Sequence, residues 1–280
     1  MNLLLPILVF ALPRFIWSII TRTIPYGAPF DLTNKNITFL ISHPDDEVMF
    51  FGPSLALLTI PEFNNTVSIV SLSSGNSEGL GATRKIELAR SAWYFAIPPS
   101  RLFVVENEED FPDSMEAAWD PKLISDVLGD IPAISNTDAI VTFDSQGVSA
   151  HTNHIATGKG ASLYVQEHSD VGLWKLETVS IYRKYLMFFD AFISYYAVPW
   201  VRKVHEQIYD SEWAAKYDLL KHIPEPTAEP VRASIISRQV QFTQAKSAMI
   251  KAHESQMKWY RHGWVIFSRY MIVNDLIKEN

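Results

Sequence analysis

Residues 43–47 read His-Pro-Asp-Asp-Glu, and residues 151–154 read His-Thr-Asn-His. Each cluster closes an apolar, strand-like run: 37–42 before the first, 139–143 shortly before the second. This pairing constrains the fold more than anything else in the chain. In an open α/β sheet, ligands gather in the crevice at the carboxyl ends of the strands. Two histidines and a carboxylate brought together there can hold a divalent metal with one position left for water. That is the layout of a catalytic zinc site and not of a structural one.

The pattern between the clusters supports such a sheet. Strand-like runs (37–42, 67–73, 102–105, 139–143) alternate with helical ones (47–58 broken near Gly52-Pro53, 82–95, 121–128, 151–166). This alternation predicts a Rossmann-like α/β fold, an open, mostly parallel sheet with flanking helices. Beyond about residue 178 the rhythm changes. Residues 185–200 are rich in aromatics and flanked by Arg183-Lys184 and Arg202-Lys203, which suits either a membrane interface or a buried segment. Residues 222–230, with three prolines, read as a loop, and 233–274 as a long helical stretch with an aromatic, basic end at 255–271.

Residues 3–20 are apolar apart from Arg14 and Ser18. A bilayer-spanning helix needs about 20 such residues, so residues 1–22 are expected to be a membrane anchor and 23–36 a linker to a catalytic domain over 37–280. A signal peptide would start with positive charge and offer a small-residue cleavage site, and neither is present. An apolar stretch that packs on the domain is the other alternative. Arg22 and Lys35 follow the apolar run and Arg14 lies near one end of it, an asymmetry that is expected to place the domain in the cytosol. The net charge of −7 offers no basic excess, so no nucleic-acid partner is expected. The absence of cysteine excludes disulfides and cysteine ligands.

At the motifs themselves, Pro44 stiffens the turn and restricts His43. Asp45 and Asp46 are neighbours, so one can bind a metal while the other faces its water. A bound metal lowers that water's pKa to about 7. A nearby carboxylate then takes the proton. His151 and His154 stand at i, i+3 near a helix start. Either both bind metal, or one binds and the other contacts substrate. Asp144 could bond a histidine and fix its tautomer. Glu47 suits a helix start. Arg84 could grip a phosphodiester or form a salt bridge with Glu87 or another acid. The remaining histidines (168, 205, 222, 253, 262) are scattered and read as ordinary.

His43-Pro-Asp-Asp-Glu47 and His151-Thr-Asn-His154 resemble the two signatures of LmbE-like zinc deacetylases. The likeness extends toward one eukaryotic branch, the de-N-acetylases of GPI-anchor biosynthesis that act on N-acetylglucosaminyl-phosphatidylinositol. Met49-Phe-Phe51, Thr83-Arg-Lys85, Asp110-Phe-Pro-Asp113, Val141-Thr-Phe-Asp144, Gly147-Val-Ser149 and Ile266-Phe-Ser-Arg-Tyr-Met271 all look like it. The resemblance implies an LmbE-like fold and Zn2+ (or another divalent metal) held by His43, Asp46 and His154. It implies Asp45 as general base and His151 as the second catalytic histidine, polarising the acetamide oxygen or protonating the leaving amine. It also implies a glycolipid substrate and residence in the endoplasmic reticulum membrane. A deacetylase of a soluble N-acetylglucosaminide and a catalytically silent membrane adaptor are the alternatives.

Overall fold

The structure is a computed structural model that describes residues 12–24, 29–211 and 231–279. Strand β1 (Asn36–Ile41) is apolar on both faces because both are covered. Phe39 and Ile41 enter one core cluster and Leu40 the other, as the two-residue period of a strand requires. The same division recurs in β4 (Ala139–Phe143), with Val141 and Phe143 on one side and Ile140 on the other.

β2 (Thr66–Ser71), β3 (Leu102–Val104) and β5 (Gly172–Leu176) complete a parallel set. β6 (Arg232–Ile236) and β7 (Val273–Glu279) add an antiparallel edge. Among the described residues the sheet has seven strands in the order β3-β2-β1-β4-β5-β7-β6. The order reverses between β1 and β4, which pair with Ile37 opposite Ala139. That reversal is the topological switch point, where such sheets open a ligand crevice. The two histidine clusters follow these two strands.

The helices are α1 (Leu12–Thr23), α2 (Asp46–Met49), α3 (Gly52–Leu58), α4 (Gly81–Trp93), α5 (Pro121–Gly129) and α6 (Thr152–Glu167). They continue as α7 (Ile181–Lys184), α8 (Phe189–Phe192), α9 (Val198–Tyr209), α10 (Gln239–Ala252) and α11 (Trp259–Phe267). α3, α4 and α10 supply one cluster, and α5 and α6 the other. α6 lies close over β4: a Cβ on Gly158 would stand 2.4 Å from the Phe143 carbonyl oxygen. Only glycine permits that approach.

The stretch 233–274 departs from the expected long helix. It holds two helices between two strands. Asn274 and Asp275 disguise β7, because buried polar residues break the apolar pattern of a strand. Partners elsewhere satisfy them: Asn274 donates to the Phe50 carbonyl at 2.7 Å and accepts from the Ser54 hydroxyl at 2.7 Å. Asp275 accepts from Arg269 at 2.7 Å and pairs with Arg232 at 3.0 Å.

Among the described residues no helix is long and apolar enough to cross a membrane. Residues 12–22, expected within the anchor, lie in α1, which docks on the domain. Trp17 is buried, donates to the Ser237 carbonyl at 3.1 Å and stacks on Phe188 at 5.8 Å. Residues 1–11, part of the expected linker (25–28) and the loop 222–230 lie outside the described residues. The segment 185–200 is divided by face. Phe188, Asp190, Ala191 and Ser194 are buried, whereas Tyr185, Phe189, Phe192 and Trp200 are exposed.

Candidate active site

The turn after β1 presents His43, Asp45 and Asp46, all buried. Asp46 Oδ2 accepts the backbone N–H groups of Ser42 (3.1 Å) and His43 (2.8 Å). Its Oδ1 faces His154 Nε2 at 3.2 Å. Asp45 adopts φ 119°, a left-handed conformation uncommon for a residue with a Cβ. Glu47 secures it by accepting from the Asp45 N–H at 2.9 Å.

The turn after β4 supplies the second cluster. His151 is the N-cap of α6 and not a residue of its first turn, yet its ring stacks on His154 at 4.5 Å. Phe143 covers the other face of His154 at 4.1 Å. The ring nitrogens of His43, His151 and His154 lie within 4.8 Å of one another, close enough to hold a metal ion. Asp46 stands beside them, with Oδ2 3.7 Å from His43 Nδ1. Imidazole and carboxylate donors suit a divalent cation.

Hydrogen bonds set the tautomers. A carbonyl only accepts, so His154 Nδ1 carries a proton toward Gly147 O at 3.2 Å. Nε2 is left for Asp46 or a metal. Burial alone would lower the His154 pKa, but the adjacent Asp46 carboxylate raises it. Burial would likewise raise Asp46, and the charge and hydrogen bond of His154 hold it well below the usual range. Each group thus favours the charged form of the other, and a bound metal ion would take the place of a proton between them. His151 differs. Burial, then His154 and His43, push its pKa down to about 4. Its Nδ1 accepts from the Asn153 N–H at 3.2 Å, so the neutral ring carries its proton on Nε2 and acts as a donor there. Burial lowers His43 as well. Its Nε2 meets Asn153 Oδ1 at 3.1 Å and Asp113 Oδ1 at 3.3 Å.

Arg84 is buried and donates to Pro44 O (2.7 Å), Gly75 O (2.9 Å) and Asp113 Oδ2 (3.0 Å). It lies 3.5 Å from Asp45 Oδ2. Glu87 is not its partner, because that carboxylate accepts from Ser255 instead. Gly75 is fixed as glycine by this contact, since a Cβ would stand 2.4 Å from the guanidinium. Asp144 bonds no histidine, contrary to the expectation. It accepts from Gln146, Gly147 and Thr178. In this way it shapes the loop whose Gly147 carbonyl reaches His154.

The chain's distant end contributes residues that local pattern does not flag. Arg261 of α11 pairs with Asp45 Oδ2. His253, read from sequence as ordinary, is fully buried against Glu47 at 2.5 Å. Glu47 is therefore an anchor of the catalytic turn and more than a helix-start charge. Burial opposes the His253 proton, but Glu47 and Asp45 raise its pKa. Asp113 belonged to a recognised run without a role. The only available signal for Asn153 was its position inside His151-Thr-Asn-His154. The site opens on a cavity of about 340 Å³ whose walls include His43, Asp45, Arg84, His151, Arg261 and Trp264.

Residues 38–165 match the family described as GlcNAc-PI de-N-acetylase, PIG-L. The chain is 33% identical to an N-acetylglucosaminyl-phosphatidylinositol de-N-acetylase of Arthroderma benhamiae, over 98% of this chain and 97% of that one. It is 32% identical to a probable enzyme of the same name in Schizosaccharomyces pombe, over 88% and 87%. The fold is similar to that of the A40926 pseudoaglycone deacetylase, with TM-score 0.52 at 10% identity over 87% of this chain and 96% of that one. The chain therefore belongs to the N-acetylglucosaminyl-phosphatidylinositol de-N-acetylase family of hydrolytic enzymes.

Proposed function

We propose that this chain hydrolyses the acetamide of N-acetylglucosaminyl-phosphatidylinositol to the glucosaminyl lipid and acetate, an early step of GPI-anchor biosynthesis. The observation that carries the reading is the arrangement of Asp45 and neutral His151 around one cavity with the His43–Asp46–His154 cluster. His43, Asp46 and His154 would hold zinc or another divalent metal. When bound, the metal supplies Lewis acidity and a water of lowered pKa. His151 fits less well as a ligand. With Nδ1 accepting a backbone hydrogen bond, Nε2 must keep its proton.

Asp45 acts as general base. Its Oδ2 is held by Arg84 and Arg261, which leaves Oδ1 to take a proton from water. His151 Nε2–H donates to the acetamide oxygen and stabilises the charge that develops there. Asp144 holds the loop that orients His154. Arg84 and Arg261 both line the cavity; Arg84 is engaged with Pro44, Gly75 and Asp113 and contributes its positive charge, while the more exposed Arg261 offers its guanidinium to the phosphodiester. We further propose an anchor within residues 1–22 and a catalytic domain on the cytosolic face of the endoplasmic reticulum. The apolar amino-terminal run and the cations after it support this reading.

The test pairs metal analysis with one assay. The purified chain should bind about one zinc, lose turnover on chelation, and deacetylate GlcNAc-phosphatidylinositol in strong preference to a soluble GlcNAc glycoside. His154→Ala should lose the metal. Equal turnover of both substrates would favour the soluble N-acetylglucosaminide reading, and full metal in His154→Ala would overturn the ligand set.

A further inference from the structure

The described surface exposes large rings on α1, α7, α9 and α11. Tyr182 is 84% exposed, Trp259 86%, Trp200 65% and Phe15 63%. Exposed rings that form a contiguous apolar patch mark an interaction site. One set of them is continuous with the cavity mouth. Trp264 and Tyr260 line both the catalytic cavity and an adjoining groove of about 500 Å³ shared with Tyr185 and Phe267. From there Tyr185 meets Trp264 at 6.2 Å. Farther along, Phe189 packs on Phe188 at 4.4 Å, and Phe188 stacks on Trp17 of α1. Phe192 packs on Tyr196 at 5.2 Å, and the Tyr196 hydroxyl donates to the Thr23 carbonyl at 2.9 Å.

We propose that this face, from Trp259 through Tyr185 and Phe189 to α1, docks into the interfacial layer of a lipid bilayer, with the catalytic cavity opening at its edge. Three observations favour lipid over a protein partner. The rings are largely Trp and Tyr, whose apolar bodies and polar tips suit the bilayer interface. Exposed Arg14 and Arg22 of α1 and Lys203 of α9 lie on elements that carry exposed rings, although the chain as a whole carries −7. Such cations attract anionic headgroups. Finally, α1, which meets the aromatic segment through Trp17 and Thr23, leaves Leu12, Phe15 and Ile19 exposed, and the preceding sequence, Met1 to Ala11, has no charged residue. The purpose of the docking rests on the glycolipid reading above: it lets a headgroup reach the cavity while the acyl chains stay in the membrane. Its physical test does not.

The chain has no cysteine, so single labels are clean. Full-length Phe189→Cys and Trp259→Cys would carry an environment-sensitive fluorophore. Trp93→Cys, at the end of α4 away from the cavity, is the control. Vesicles of phosphatidylcholine and phosphatidylserine are the probe. We expect blue-shifted emission and quenching by nitroxide lipids at 189 and 259, with neither at 93. If the chain binds vesicles while 189 and 259 stay in water, docking is overturned and the face is left to a protein partner. In a second experiment, Phe189→Ser with Phe192→Ser should reduce turnover of vesicle-borne glycolipid roughly tenfold. Turnover of a water-soluble short-chain analogue should be unchanged. Equal loss on both substrates would assign these residues a structural role and overturn the proposal. Failure of the unsubstituted chain on both substrates would sink the glycolipid reading alone, because the label experiment needs no turnover.

Discussion

Asp45 holds its position against its own backbone preference. A residue with φ 119° costs about 1–3 kcal/mol and persists only where its surroundings over-determine it. Here the surroundings are a chain of buried groups. Glu47 accepts from the Asp45 N–H, from Ser91 at 2.6 Å and from His253 at 2.5 Å. The carboxylate is meanwhile clamped by Arg261 and Arg84. Asp45→Asn preserves the size and removes the proton acceptor. We expect kcat to fall by about 10²–10⁴-fold with the metal still bound, as read by steady-state kinetics and metal content on the same sample. Metal lost in step with activity would make Asp45 a ligand instead.

At the scale of elements, an ion network fastens the aromatic segment to the sheet edge. Arg269, fully buried, pairs with Asp190 of α8 at 2.6 Å and with Asp275 of β7 at 2.7 Å. Arg183 joins Asp190 at 2.7 Å, and Arg232 joins Asp275. Arg269→Ala would leave buried carboxylates short of a cation, at a cost of about 3–5 kcal/mol, measurable by denaturant unfolding. The network also fixes a pH dependence. Burial would raise the Asp275 pKa, but Arg269 and Arg232 hold it well below the carboxylate range. A depressed folded pKa contributes stability that is fully present above the unfolded value of about 3.9. That stability is lost as pH falls from there toward the folded value. The melting temperature should therefore drop below about pH 4, and Asp275→Asn should be less stable at neutral pH with a shallower acid slope. An unchanged slope in that variant would remove Asp275 from the transition.

Across the whole molecule, two sequons report on topology. Asn36-Ile-Thr38 and Asn64-Asn-Thr66 would be glycosylated only in the secretory lumen. Asn36 and Asn64 are both exposed, so burial of the acceptor amides would not account for a bare chain. We expect the full chain in sealed microsomes to remain bare and its domain to be open to added protease. A version with a cleavable signal peptide fused before residue 24 should gain glycan at Asn64. A protected native domain carrying glycan would overturn the proposed cytosolic orientation.

The sequence by itself determined the features that depend on neighbours in the chain. Apolar strand-like runs alternating with helical ones predicted the parallel sheet, and the turn motifs after β1 and β4 marked the site. Those two strands pair directly, at the switch point. What local pattern could not carry was any group whose meaning lies in a distant partner. His253 meets Glu47 across 206 positions and Arg261 meets Asp45 across 216. Neither has a local signature, because each is set by where α10 and α11 pack. β7 was hidden for the same reason. Its Asn274 and Asp275 look like loop residues until Phe50, Ser54 and Arg269 arrive to satisfy them. The exposed aromatic face was legible as composition but not as a surface. Which rings of 185–200 turn outward was decided by burial of Asp190 and Ser194 in the ion network, since buried charge must find its partners before a helix face is chosen.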